Sequence, residues 1–357
     1  MSNFCPVCKS AINDDTVKCN VCSFTDLHRE FITKEDAQEW FDTIVLPYRA
    51  NWETQSKNMD IDKGLGISGE LLSKYHGNKH NVIIPNSVKS IDENAFFNVS
   101  TIESVKIPNS VTQIGKSAFW GCSNLRTVNI SNSVIKIGSS AFQGCSNLKT
   151  IDIENGVAQI GVRAFWNCTS LEYIDIPNSV TEVGENAFYG CLNLRTINIS
   201  SNITQIGRGT FEGCSNLENV NIPSGVTRIG SQAFWGCSSL RNINIPKSVT
   251  KIGYGAFWDC SSLRNINIPG RVIKIEKDTF RGCTNLENVN ISSGVKEIGE
   301  SAFWGCSNLR TVSIPSSVTK IESMAFGIKN RTLLIACHKN SYAHKYAVEN
   351  DMLVHFI

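Results

Sequence analysis

The chain has 357 residues, of which 34 are Lys or Arg and 32 are Asp or Glu, so its formal net charge at pH 7 is only +2. Such a balance excludes the strongly basic field that is typical of nucleic-acid binding. Because no uncharged apolar run reaches the roughly 18 residues of a membrane span and the first residues lack a secretory signal, we expect a cytoplasmic protein with no membrane span and no nucleic-acid partner.

The first 24 residues contain cysteines in the pattern C-x2-C-x10-C-x2-C, at Cys5, Cys8, Cys19 and Cys22. Two such pairs can place four thiolates tetrahedrally around one Zn²⁺, with no coordination position left for water. The spacing therefore predicts a zinc ribbon over residues 1–24 with one structural Zn²⁺. The alternative is a pair of disulfides, which would need an oxidising compartment.

Residues 25–63 carry charged and aromatic residues at helical spacing, most clearly in TKEDAQEWFDTIVLPYRANWE. Thr33 followed by Asp36 is typical of a helix start, and Pro47 is expected to end or kink that helix. We interpret the segment as a helical connector that either recruits a second partner or seals the first repeat. The GxGxxG spacing at 64–69 has no long helix after it, which favours a flexible joint over a dinucleotide site.

A 23-residue repeat follows this joint. A Phe recurs at that spacing from Phe96 to Phe326, which counts eleven rungs. Self-similarity at such a period indicates a solenoid whose neighbouring units share one continuous core. We therefore assign residues 64–336 to a solenoid of about eleven rungs. Its clearest marker is a ladder of nine equally spaced cysteines: Cys122, Cys145, Cys168, Cys191, Cys214, Cys237, Cys260, Cys283 and Cys306.

The unit SVTQIGKSAFWGCSNLRTVNI indicates how each rung is buried. Leu125, Val128 and Ile130 have the LxxLxL spacing of a short strand whose alternate side chains point inward. The AFxxC sequence that begins at Ala118 would aim three side chains at the core from one tight helical turn. The recurring Gly115 indicates a turn or a close approach that a Cβ would obstruct. The pattern predicts an α/β-type repeat solenoid with short parallel strands and short helical turns.

The run IGxxAFxGCSxLxxVxIPxSVT resembles the BspA-like subclass of leucine-rich repeats. The ending NSYAHKYAVENDMLVHFI also resembles the usual cap of that family, so we place a C-terminal cap at residues 337–357. The resemblance implies a leucine-rich-repeat rod that binds proteins. In several members of the family it implies a surface adhesin with host-protein ligands.

The nine ladder cysteines differ in chemistry from the four near the N terminus. Each stands beside a rung Phe, and identical neighbours with parallel Cβ directions disfavour disulfide pairing. We expect inert, buried free thiols that act as small apolar groups. Together with a zinc ribbon, unpaired thiols favour a reducing cytoplasm.

One candidate interaction surface is the outward side of the main strands, which is polar and rich in asparagine. It could bind an extended peptide or a carbohydrate, whereas amide ladders on a solvated strand face explain it without any ligand. We call this surface the asparagine face, and its candidate binding residues are Tyr173, Asp175, Asn198, Asn221, Asn244 and Asn267.

A second candidate surface consists of the residue that follows each rung Phe. Aromatic residues come there in pairs, with a non-aromatic residue at every third rung. They could be exposed anchors for a partner, or rings that stack on one another and shield the backbone. We rank this surface, the aromatic flank, above the asparagine face; its candidate residues are Trp120, Trp166, Tyr189, Trp235, Trp258 and Trp304.

The sequence shows no catalytic constellation. The six histidines are scattered, and Cys337 beside His338 is not how a nucleophile and its base are usually presented. We interpret the chain as a non-enzymatic scaffold or adaptor for an unidentified protein partner, in an unspecified oligomeric state. The alternative is an exported BspA-like adhesin that binds host or neighbouring-cell proteins. Nucleic-acid binding through the ribbon is disfavoured by the net acidity of the segment through Lys74.

Overall fold

The computed structural model describes residues 64–327 and 332–357, so the predicted zinc ribbon (1–24) and helical connector (25–63) lie outside the described residues. Within those two ranges the chain forms 26 short strands and one helix. In chain order these are β1 (Leu65–Ser68), β2 (Leu71–Tyr75), β3 (Asn81–Ile83), β4 (Ser90–Ile91), β5 (Ser104–Lys106), β6 (Gln113–Ile114), β7 (Thr127–Ile130), β8 (Lys136–Ile137), β9 (Thr150–Ile153), β10 (Gln159–Ile160), β11 (Tyr173–Asp175), β12 (Glu182–Val183), β13 (Thr196–Asn198), β14 (Gln205–Ile206), β15 (Asn219–Asn221), β16 (Arg228–Ile229), β17 (Asn242–Asn244), β18 (Lys251–Ile252), β19 (Asn265–Ile268), β20 (Lys274–Ile275), β21 (Asn288–Ile291), β22 (Glu297–Ile298), β23 (Thr311–Ile314), β24 (Lys320–Ile321), β25 (Leu334–Cys337), α1 (Tyr342–Glu349) and β26 (Leu353–Phe356).

The strands form two parallel ladders. Odd-numbered strands from β3 to β25, followed by β26, form the main ladder, and even-numbered strands from β2 to β24 form the minor ladder. Within the repeats, residues pair with their equivalents 23 positions later, as Thr127 does with Thr150 and Ile114 with Ile137. The twelve strands of the minor ladder give the solenoid about twelve turns, against the eleven rungs counted from Phe.

The main strands bury alternate side chains, as the LxxLxL spacing predicts. Val128 and Ile130 of β7 are buried, whereas Thr127 between Leu125 and Val128 is exposed. A period of two puts one side of each strand in the core and the other in solvent. The inward assignment of these repeat positions is confirmed.

The third side of each rung consists of turns, so the prediction of short helical turns is wrong. Ala118, Phe119 and Cys122 are buried as predicted, but Ser117 has φ of 52°. The amide of Phe119 donates to the carbonyl of Ala141 on the next rung, at 2.7 Å. Other amides of this segment close tight turns within the rung, as Cys122 N does to Phe119 O at 3.2 Å. Left-handed residues, Ser117 and Gly121, prevent these turns from continuing as a helix.

The eleven rung Phe side chains form one stacked column through the core. Their neighbouring ring centroids lie between 4.8 Å, for Phe96 and Phe119, and 5.7 Å, for Phe188 and Phe211. Tyr75 lies 5.1 Å from Phe96 at the start of the column. Offset aromatic packing adds to the energy of burial at every step, so this column links consecutive rungs.

The ladder cysteines are free and buried, as expected. Each thiol donates a hydrogen bond to the carbonyl oxygen of the Phe one rung earlier, as Cys122 Sγ does to Phe96 O at 3.1 Å. Burial raises the pKa of Cys122, Cys191 and Cys306 to about 12. These thiols therefore stay neutral at physiological pH and have the low reactivity of protonated sulfur.

Each end of the described solenoid has its own closing element. Residues 64–69, expected to be a flexible joint, belong to an antiparallel hairpin of β1 and β2, and a Cβ on Gly66 would lie 2.9 Å from Lys74 O. At the other end, the predicted cap contains α1, whose N-cap Ser341 accepts a hydrogen bond from His344 N at 3.2 Å. The cap also contributes β26, which extends the main ladder.

Both ladders contain one interruption. The minor ladder stops between β12 and β14, and the main ladder stops between β17 and β19. At the first interruption the rungs separate enough to leave a narrow apolar crevice beside Val183 and Ile206. Neighbouring rungs are similar in sequence, and their strands pair elsewhere in each ladder. At these two interruptions the pairing between neighbouring rungs is lost.

Candidate interaction surfaces

The aromatic flank is a row of stacked rings. Trp166 and Tyr189 have centroids 3.9 Å apart, and Trp235 and Trp258 are 4.9 Å apart. The same column begins with Phe97, whose ring is 4.6 Å from that of Trp120. Stacking of paired rings is the arrangement that the packing alternative predicts. The six candidate residues share one repeat position, and Gln143 and Glu212 separate their pairs.

Backbone hydrogen bonds hold this column in place. The carbonyl oxygens of Trp235 and Trp258 accept from Gly213 N at 2.7 Å and from Gly236 N at 2.8 Å. The rings are therefore attached to a backbone that is bonded to the rung before it. Rigid attachment lowers the entropy that these side chains would lose on contact with a partner.

Arg281 extends the row where the sequence shows a non-aromatic residue. Its guanidinium lies 4.8 Å from the ring centroid of Trp258 and 4.5 Å from that of Trp304. It also contacts Asp278 Oδ1 at 3.2 Å, and the Asp278 side chain is only 2% exposed. Trp235, Trp258, Arg281 and Trp304 thus form one continuous stack, which a search for aromatic residues misses. An Arg between two rungs of Trp is the signal that could have revealed it.

Exposure is greatest at the ends of the aromatic flank. Phe97 is 41% exposed and Trp304 is 39% exposed, whereas the Trp residues between them are half-buried. An end ring has a neighbour on one side only, so it presents more of its surface to solvent. Phe97 was not among the six candidate residues.

The asparagine face is exposed along most of its length, and it is half-buried at Asn129 and at Thr311 and Ser313. Tyr173 is paired with the strand before and after it, and its hydroxyl accepts a hydrogen bond from Asn198 Nδ2 at 3.0 Å. Asp175, Asn221, Asn244 and Asn267 are exposed. Partial amide ladders exist on this face, for example from Asn288 Nδ2 to Asn265 Oδ1 at 2.9 Å. The face therefore offers many polar groups to solvent, with some already bonded to each other.

Two acid groups on these surfaces have shifted pKa values. Partial burial, and then the charge of Asp175, raise the pKa of Tyr173. Burial raises the pKa of Glu212, while the guanidinium of Arg208 lowers it. Glu212 lies in the aromatic column between Tyr189 and Trp235, so the half-buried character of the flank extends to its polar members.

The metal site predicted at Cys5, Cys8, Cys19 and Cys22 lies outside the described residues. In the part of the chain that the structure describes, no group of three or more His, Cys, Asp or Glu side chains is arranged to hold a metal ion. The same described part contains no helix that is long and apolar enough to cross a membrane.

The two parallel ladders, the period of 23 residues and the buried Leu, Ile and Phe columns define a leucine-rich-repeat solenoid. The family described as "BspA type Leucine rich repeat region (6 copies)" matches residues 73–194, 137–264, 204–333 and 250–357. The chain therefore belongs to the BspA-type leucine-rich-repeat family, and the resemblance stated from the repeat motif is confirmed.

The chain is similar to solved structures of other leucine-rich repeat proteins. A leucine-rich repeat protein from Bacteroides ovatus is 25% identical, with 81% of this chain and 94% of that one covered and a TM-score of 0.52. A leucine rich cell surface protein from Faecalibacterium prausnitzii is 26% identical, with coverages of 71% and 90% and a TM-score of 0.41. The leucine rich repeat protein of T. pallidum is 27% identical, with coverages of 57% and 89% and a TM-score of 0.46. No curated sequence matches this chain.

Proposed function

We propose that this chain is a non-enzymatic scaffold or adaptor that binds a protein partner through the aromatic flank of its solenoid. The observation that carries the proposal is the continuous stack of Trp235, Trp258, Arg281 and Trp304, which ends in a Trp that is 39% exposed. Trp and Arg are the residues most enriched among binding hot spots. The asparagine face supplies a second, polar surface for the same partner.

The stacked rings also stabilise the solenoid, and the two roles are compatible. An aromatic pair contributes about 0.5–1.5 kcal/mol beyond its buried area. A ring that its neighbour already holds needs little further ordering when a partner contacts its free face. The exposed ends of the row are therefore where binding and packing can be separated by mutation.

The test compares capture of a partner by wild-type protein with capture by Trp304→Ser. The matched control is Gln143→Ser, which changes a half-buried polar residue of the same column. We expect cross-linking of native lysate to give a partner whose recovery falls about tenfold with Trp304→Ser and stays unchanged with Gln143→Ser. Equal recovery by both variants, with a lower melting temperature for Trp304→Ser alone, would support a packing role only.

We propose a cytoplasmic location, with an exported BspA-like adhesin as the second candidate. The free cysteines support a reducing compartment. Burial of the ladder cysteines is also compatible with the second candidate. It raises the pKa of Cys191 to about 12, so the thiol stays protonated and resists oxidation outside the cell as well. External protease applied to intact cells distinguishes the two, since digestion of the chain would rule out the cytoplasmic adaptor.

We also propose that Cys5, Cys8, Cys19 and Cys22 bind one structural Zn²⁺ in a ribbon over residues 1–24. The support is the spacing of two CxxC pairs, which suits a closed tetrahedral thiolate site. Residues 25–63 would then connect this ribbon to the solenoid at 64–336, with the cap at 337–357. The connector either recruits a second partner or seals the first rung, and its deletion would separate these roles by their effects on binding and on stability.

A further inference from the structure

The interruption of the main ladder contains a polar pocket. Between β17 and β19 the strands do not pair, although β15 pairs with β17 and β19 pairs with β21. A pocket of about 510 Å³ lies here, lined by Arg241, Asn242, Ser262, Arg264 and Asn285. All five lining side chains carry hydrogen-bond donors.

The backbone separates at the two arginines. The amide of Arg241 donates to Glu218 O at 3.2 Å, and the amide of Glu287 donates to Arg264 O at 2.8 Å. Among the described residues, the equivalent bond from Arg264 N to Arg241 O is missing. The break lies between two residues of like charge, but Arg126 and Lys149 at the equivalent positions keep this bond, from Lys149 N to Arg126 O at 3.0 Å. Like charge alone therefore does not open the ladder.

A change of side-chain size opens the pocket. Asparagines occupy the equivalent position on several rungs and bond to each other, as Asn216 Nδ2 does to Asn193 Oδ1 and Asn308 Nδ2 does to Asn285 Oδ1, both at 3.1 Å. Ser239 and Ser262 occupy two consecutive rungs of this column between Asn216 and Asn285, and a single serine, Ser170, stands earlier in it. The two consecutive shorter side chains leave unfilled the space that amides would occupy.

The two arginines are not neutralised. Neither Arg241 nor Arg264 has an acidic side chain within 4.0 Å in the described part of the chain, although Glu218 and Glu287 occupy the rungs on either side. In the same column Arg126 does pair with Glu103, at 3.4 Å. The pocket thus combines two exposed guanidinium groups with the hydroxyl of Ser262 and two side-chain amides.

We infer that this pocket binds an oxyanion, of the carboxylate or phosphate type, that an acidic segment of a protein partner presents. Guanidinium groups form paired N–H···O bonds with such groups, and the serine hydroxyl and the asparagine amides can donate to the remaining oxygens. The anion would neutralise the two guanidinium groups that line the pocket. The inference rests on the proposed protein-binding function only for the source of the anion.

The test uses three short labelled peptides of equal length that contain two Glu, two phosphoserine or two Gln residues at the same positions. Fluorescence anisotropy with the full chain should give binding of the Glu or phosphoserine peptide at least about tenfold tighter than binding of the Gln peptide, and added salt should weaken it. The stronger of the two charged peptides identifies the source of the oxyanion. Equal binding of all three peptides, or no binding, would overturn the inference.

Two variants locate the site. Arg264→Gln should weaken binding of the charged peptide about tenfold. Arg195 is an exposed arginine of the same column outside the pocket, so Arg195→Gln should change the affinity for that peptide less than about twofold. Ser262→Asn should weaken binding with no change of charge, because its longer side chain occupies space in the pocket that Ser262 lines. Equal effects of Arg264→Gln and Arg195→Gln, or unchanged binding with Ser262→Asn, would contradict the assignment. If the wild-type chain captures a protein partner but binds none of the three peptides, the pocket assignment is rejected and the proposed function stands.

Discussion

The guanidinium of Arg281 lies 4.5 Å from the ring of Trp304 and contacts Asp278, whose side chain is almost fully buried. Arg281 thus compensates a buried carboxylate and joins two parts of the aromatic row. Each of these contacts is lost when the side chain is shortened. The consequence is a stability effect that depends on Asp278 and can be measured.

Arg281→Gln should lower the free energy of unfolding by about 2 kcal/mol, because it leaves the buried Asp278 without its cation and removes the cation–π contacts. Adding Asp278→Asn should recover more than half of the loss. Asn is a suitable replacement since Asn94 and Asn186 have positive φ at the equivalent position, as Asp278 does. Urea titrations of the single and double variants provide the measurement, and additive losses would show that the two side chains act independently.

Gly138→Ala and Gly207→Ala should have very different effects, although the two glycines occupy the same repeat position. A Cβ on Gly138 would lie 2.5 Å from Gly115 C, whereas one on Gly207 would meet nothing closer than Thr210 Oγ1 at 3.3 Å. We expect a loss of about 3 kcal/mol or more for Gly138→Ala and less than about 1 kcal/mol for Gly207→Ala. Denaturant midpoints test this, and equal losses would mean that the ladder is not open beside Gly207.

Replacing Cys5 and Cys8 by Ser should abolish zinc binding, if these residues are ligands of a closed tetrahedral site. The zinc content measured by metal analysis should fall from one Zn²⁺ per chain to none, while the circular dichroism of the solenoid is retained. Cys122→Ala is the matched control, because it removes a cysteine that is buried in the core. Unchanged zinc content in the double variant would refute the ligand assignment.

The repeat made the core predictable from sequence. Because Leu125, Val128 and Ile130 recur on neighbouring rungs, each experiences the same surroundings, and their burial follows from spacing alone. The same logic explains Gly115, which recurs because a Cβ would lie 2.5 Å from Asp92 C of the preceding rung. Its φ is not in the left-handed region, so the close approach rather than the turn is the correct explanation.

Features that depend on bonds between rungs could not be predicted from one unit. The spacing of Ala118, Phe119 and Cys122 fits a helical turn, but only the neighbouring rung reveals that Phe119 N bonds to Ala141 O. Features that depend on differences between rungs were also missed. Arg281 is one of the non-aromatic residues that interrupt the aromatic flank in sequence, and the sequence alone did not show that it continues the stack.

The ladder thiols should make the solenoid sensitive to alkaline pH. Burial holds the pKa of Cys191 at about 12, against an ordinary value of 9.0. Because the folded pKa is the higher one, the stability that the thiol contributes is complete below pH 9.0 and is lost as pH rises toward 12. Unfolded chains then release protons that folded chains retain, so the free energy of unfolding should fall across this window.

Cys191→Ala isolates this effect from the lysines and tyrosines that titrate in the same range. The variant should be less stable at neutral pH, because it leaves space in the core, but its stability should decline less steeply above pH 9.0. One thiol accounts for a slope of up to about 1.4 kcal/mol per pH unit. Denaturant midpoints of both proteins between about pH 8 and about pH 11 measure the difference in slope. Parallel curves would show that Cys191 ionises as readily in the folded chain as in the unfolded one. Such a result would contradict the effect expected from the burial of Cys191 and from its hydrogen bond to Phe165 O at 3.2 Å.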